Sequence, residues 1–202
     1  LRQLKLDDRL KVTGHSDQLI SGNGLLHPAW FSRIGWYFGV PNESRRSNAD
    51  SSKFDFRDSP RQGQYLVFDR GSTYSVRLFP NVGKFARSFV PAAGGYRIFA
   101  DDNRSGKNRW SIEVPIRVEA MLAAGGETLF LGGSPDMVDR ADPWGAVKGR
   151  TGGLLWAVAA QDGTKLAELR LPHPPVFDGL IAADGKLILS TVDGSVMCIG
   201  GG

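Results

Sequence analysis

Two stretches of this chain, MLAAGGETLFLGG (121–133) and LIAADGKLILST (180–191), are copies of one unit. Ala124 and Ala183 hold equivalent positions 59 residues apart, and Gly125-Gly126 stands where Asp184-Gly185 stands. Asp-Gly or Gly-Gly between short apolar runs predicts a tight hairpin, because a type I′ turn needs positive φ at both central residues. After the first copy come 17 residues of loop composition (134–150), then GGLLWAVAA (152–160), the turn Asp162-Gly163 and TKLAELRL (164–171). The second copy continues through Asp193-Gly194 into SVMCIG (195–200), which predicts a three-stranded meander of LIAA, KLILSTV and SVMCIG. A fainter third copy, GQYLVFDRGSTYSVRLF (63–79), aligns with GKLILSTVDGSVMCIG (185–200).

Without the 134–150 insert the period is 42 residues, within the roughly 40–45 residues of a four-stranded propeller blade. Composition agrees: 26 Gly and 11 Pro in 202 residues suit short strands and tight turns. No window longer than about ten residues keeps apolar positions at helical spacing without Gly or Pro. RVEAMLAA (117–124) reads as strand through its match to FDGLIAA (177–183). The expected fold is all-β, a partial β-propeller of four-stranded antiparallel blades, about three to four of them. Residues 1–202 form one such domain, incomplete as a ring. LRQLKL (1–6) or DRLKVTG (8–14) supplies a strand to the last blade only if the ring closes on itself.

The net charge is +4 and acidic stretches interrupt the basic ones, so no nucleic-acid partner is expected. No run approaches the 18 or more apolar residues of a membrane-spanning helix. A single cysteine, Cys198, excludes an internal disulfide. Its place in an apolar strand predicts a buried small side chain.

The most unusual stretch is HPAWFSRIGWYFG (27–39), in which Trp30, Phe31, Trp36, Tyr37 and Phe38 surround Arg33. Aromatic faces stack on sugar rings, and Arg lies well over an indole. Trp30, Arg33, Trp36 and Tyr37, with Trp144 of the insert, are therefore the candidate ligand-binding residues. The competing reading is core packing beneath an irregular aromatic and Arg-rich connection over 27–62. Asp136, Asp139 and Asp142 of the insert do not have the spacing of a calcium loop, so no metal site is expected. His15, His27 and His173 are scattered and no Ser-His-Asp spacing emerges, so no catalytic residue is assigned.

GGLLWAVAAQDGTKLAELRL (152–171) and the strands after it resemble the PQQ-like, quinoprotein-type β-propeller repeat, whose core reads YALDAATGK and whose outer strand ends in a docking Trp. Trp156, Ala157 and Val158 match the YAL of that core and Gly163 matches its Gly, whereas Ala159 replaces the usual Asp and Ala167 the usual Trp. The chain as a whole resembles the C-terminal part of large secreted PQQ-like propeller proteins of planctomycete-type bacteria. The resemblance implies an extracytoplasmic binding or assembly scaffold without catalysis of its own. One alternative is part of a PQQ-dependent oxidoreductase, with PQQ and calcium bound through the rest of a larger propeller. Another is a carbohydrate-binding propeller. Implied partners are the remaining blades, another protein or a glycan.

Overall fold

The structure, a computed structural model, describes residues 2–21, 36–38, 61–63, 65–77 and 96–200. These form strands only, and every pairing is antiparallel. Four sheets follow one another along the chain, each built in strand order. Sheet I contains β1 (Arg2–Leu6), β2 (Val12–Ser21), β3 (Trp36–Phe38) and β4 (Arg61–Gly63). Sheet II contains β5 (Tyr65–Phe68), β6 (Ser72–Arg77), β7 (Tyr96–Asp102) and β8 (Asn108–Val114). Sheet III contains β9 (Ile116–Ala124), β10 (Thr128–Pro135), β11 (Gly153–Ala159) and β12 (Lys165–Leu171). Sheet IV contains β13 (Pro175–Ala183), β14 (Lys186–Thr191) and β15 (Val196–Gly200).

Sheets II, III and IV are apolar on the faces that meet one another, as the period-2 alternation of a strand requires. Tyr74, Val76 and Ile98 of sheet II pack on Met121, Leu129, Leu131 and Val158 of sheet III. The other face of sheet III, with Leu155 and Leu171, packs on Leu180, Leu187 and Leu189 of sheet IV. The first strands lie together: β9 runs beside β13 on one side and β5 on the other.

The two copies read from the sequence occupy equivalent places in sheets III and IV. β9 and β13 are first strands, β10 and β14 second strands, and Leu129 and Leu131 are buried as Leu187 and Leu189 are. Asp184 (φ 50°) and Gly185 (φ 71°) are both in the left-handed region, which makes the type I′ turn expected of them. The other Asp-Gly pairs work differently. Only Gly163 and Gly194 have positive φ there, while the aspartate before each accepts a hydrogen bond two residues on, from Thr164 N at 2.9 Å and Ser195 N at 3.3 Å.

Two further expectations change, those for the third copy and for Cys198. The third copy is displaced by one strand: Tyr65–Phe68 and Ser72–Arg77 are the first and second strands of sheet II, not the second and third. Both registers place a Gly turn between two β-rich runs, so the turn alone does not choose. The amino-terminal segment pairs within sheet I, β1 with β2, and supplies no strand to sheet IV. Cys198 is exposed. It lies in one cross-strand row with Ile181 and Ile188, and that row faces away from sheet III. The 134–150 insert is the β10–β11 connection, its first two residues extending β10.

Beside the shared core, an indole joins sheet II to sheet III. Trp110 on β8 donates its indole N–H to the Ala160 carbonyl at 3.0 Å. Its ring lies against the Gly163 turn so closely that a Cβ on Gly163 would stand 2.9 Å from Trp110 Cε3. Tyr74 adds a tilted ring contact at 6.1 Å.

Candidate functional site

Where β5, β9 and β13 come together, three titratable side chains are gathered: Tyr65, Glu119 and Asp178. Glu119 and Asp178 are equivalent in the repeat, again 59 positions apart. Both sit where their strands leave regular pairing. The β9–β10 register slips so that Val118 and Ala120 face successive residues Gly133 and Gly132, leaving Glu119 as the extra residue. The β13–β14 register slips between Pro175 and Leu180, and within that slip Asp178 adopts φ 53°. A bulge re-aims a side chain out of the sheet's alternation, here on the strand edge nearest the junction. Gly179 permits the second bulge: a Cβ there would stand 2.5 Å from Val176 Cγ2 and 2.9 Å from the Ser190 carbonyl oxygen.

The junction is partly withdrawn from water. Burial raises the Tyr65 phenol well above its usual range, and the negative charges of Asp178 and Glu119 raise it further. Burial likewise raises Glu119, against the opposing pull of a Ser134 hydroxyl donated at 3.4 Å and the Arg117 charge. Asp178 is raised by burial alone. The Phe177 ring meets Tyr65 at 5.1 Å and remains 68% exposed. Arg117 is held 3.9 Å from Asp136, both nearly buried. Two carboxyl groups, a phenol and an open aromatic ring form a surface able to exchange hydrogen bonds with a ligand and stack on it.

The raised acids set a sign for pH dependence. In the unfolded chain Glu119 titrates near 4.5, and in the folded chain above that. Stability from this group is therefore full below the unfolded value and falls as pH rises through the folded one. Glu119→Gln, which keeps an acceptor for Ser134, is expected to be more stable than the native chain at pH 7 and nearly unchanged at pH 4. Urea midpoints at the two pH values check this.

The residues chosen from the sequence fall elsewhere. Trp36 and Tyr37 lie on β3, paired with Ser21 and Ile20 of β2 and with Gly63 and Gln62 of β4. Trp30 and Arg33 lie outside the described residues. Trp144 is 64% exposed on the β10–β11 loop. That loop is braced by Arg150 Nε donating to Asp142 at 2.8 Å and by Lys148 N donating to the Trp144 carbonyl at 2.9 Å. The acid pair was within reach of the sequence, since the alignment of RVEAMLAA with FDGLIAA sets Glu119 against Asp178. Tyr65 was not, because its part in the junction comes from packing between sheets. Among the described residues no group of three or more His, Cys, Asp or Glu is arranged to hold a metal ion. Nor does any helix among them have the length and apolarity to cross a membrane.

No protein-family model matches the chain, and no curated protein matches it.

Proposed function

We propose that the sheets are blades of a PQQ-like β-propeller serving as a non-catalytic binding scaffold in an extracytoplasmic bacterial protein, with the β5–β9–β13 junction as its ligand-facing surface. The observation that carries the reading is the Trp110 contact. FADDNRSGKNRW (99–110) sets Phe99, Ala100, Asp102, Gly106 and Lys107 on the YALDAATGK pattern, with Trp110 three residues on, where a docking Trp belongs. The indole bridges to the turn of the next sheet, as such a residue does between blades. First strands lying side by side and consecutive meanders fit the same reading.

A quinoprotein oxidoreductase is separated by adding PQQ with calcium. The scaffold reading expects an unchanged melting temperature, since only a ligand bound to the folded state raises it. A saturable rise would replace it with the oxidoreductase reading. Trp144 favours carbohydrate recognition as a second reading, because its exposed indole sits on a braced loop. That reading expects oligosaccharides to quench tryptophan fluorescence in the native chain and not in Trp144→Ala.

A further inference from the structure

The chain has four Asp-Gly pairs, at 162–163, 178–179, 184–185 and 193–194. Such a pair rearranges slowly, because glycine puts no side chain in the way when its backbone nitrogen approaches the carboxyl of the aspartate before it. The approach needs the nitrogen and the carboxyl unbound and the backbone free to turn. The four pairs differ sharply in these respects.

At Asp193-Gly194 both groups are engaged. The carboxylate accepts from the Thr191 hydroxyl at 2.6 Å and the Ser195 hydroxyl at 2.8 Å, and Gly194 N donates to the Thr191 carbonyl at 2.9 Å. At Asp162-Gly163 the carboxylate accepts from Thr164 N at 2.9 Å, and Gly163 N donates to the Ala159 carbonyl at 2.8 Å. At Asp178-Gly179 the restraint is packing, although burial favours the protonated form of the acid, which is the form that reacts. A Cβ on Gly179 would stand 2.5 Å from Val176 Cγ2, and Leu180 beyond it is buried and paired with Leu189.

Asp184-Gly185 has none of these restraints. Neither its carboxylate nor the Gly185 N–H has a hydrogen-bond partner among the described residues. Both residues are exposed, and a Cβ on Gly185 would meet nothing within 4 Å. This openness belongs to the turn itself. Gly125 and Gly126, its equivalents in sheet III with a sheet packed on either side, also meet nothing within 4 Å.

We infer that Asp184 is a site of isoaspartate formation in the folded protein. The Gly185 nitrogen loses its proton and bonds to Cγ of the protonated Asp184 carboxyl, whose hydroxyl leaves as water. Water then adds to the Asp184 main-chain carbonyl of the resulting cyclic imide and breaks that carbon's bond to nitrogen. The chain now runs through Cγ, the α-carboxyl is free, and the mass is unchanged. The added methylene lengthens a turn whose flanking residues, Ala183 and Lys186, are paired, with the buried Leu187 and Leu189 just beyond. The inference rests on this hairpin and not on ring closure or on the β5–β9–β13 junction.

The native chain is aged in mildly acidic buffer, folded in one arm and unfolded by urea in the other. Isoaspartate is located in tryptic peptides by electron-transfer fragmentation. All four pairs are expected to convert in urea, and in the folded chain Asp184 is expected to convert at least tenfold faster than each of the other three. Gly185→Ala sets a methyl group in the path of the nitrogen and is expected to slow conversion at Asp184 at least tenfold. A smaller ratio between Asp184 and any of the other three in the folded chain would overturn the proposal. So would unchanged conversion in Gly185→Ala.

Discussion

A Gly133→Ala variant is expected to lose about 3 kcal/mol of stability, the upper end of what overpacking usually costs. Gly133 lies on β10 at the slip in register that turns out Glu119. A Cβ at this position would stand 1.8 Å from the Arg117 carbonyl oxygen and 2.7 Å from its carbon. Those are backbone atoms of the paired strand, so no side-chain rotation relieves the contact. Either the bulge opens or the two strands separate, and both disturb β9, which touches the first strands of sheets II and IV. Urea unfolding followed by tryptophan fluorescence measures the loss. By contrast, Gly125→Ala should cost far less, because a Cβ there meets nothing within 4 Å and the penalty is only that of its positive φ, 62°. A Gly133→Ala protein as stable as the native chain would mean that β9 and β10 are not paired in this register.

Trp110→Ala is expected to cost about 3 kcal/mol, the lower end for removing a large aromatic from a packed site, because the ring is only partly buried. Three losses combine in it. The ring leaves the Gly163 turn and Tyr74, the Ala160 carbonyl loses the indole N–H, and the II–III joint opens. Gly163→Ala attacks the same contact from the other side, with a Cβ 2.9 Å from both Trp110 Cε3 and Ile112 Cγ2 and with φ 79° besides. The two changes share one interface, so their effects should combine to less than the sum of the singles. Strict additivity in a double-mutant cycle would mean that Trp110 and the Gly163 turn are not in contact.

The repeat was legible because it is a local pattern. Asp184-Gly185 specifies a two-residue turn through its own backbone preference, and the apolar residues on either side alternate as a half-buried strand must. The equivalence of 121–133 and 180–191 follows from that alone. Where local chemistry was ambiguous the reading slipped. Tyr65–Arg77 moved by one strand because any Gly turn joins two strands equally well. Cys198 was expected inside because its neighbours are apolar, but burial depends on what packs against a row, and its row faces away from sheet III. The aromatic cluster drew attention by composition, whereas the acid pair of the junction is inconspicuous along the chain.

The sequence by itself determined the strands of sheets III and IV, their antiparallel order, most of their turns and the spacing that sets Glu119 against Asp178. Only the tertiary structure decided what those elements face. It brought Tyr65 beside two carboxylates from other sheets and seated Trp110 on a turn some fifty residues away. The physical reason is range. Turn geometry and strand alternation are settled within a few residues, whereas the burial, charge environment and free volume of a side chain are set by whichever sheet packs against it.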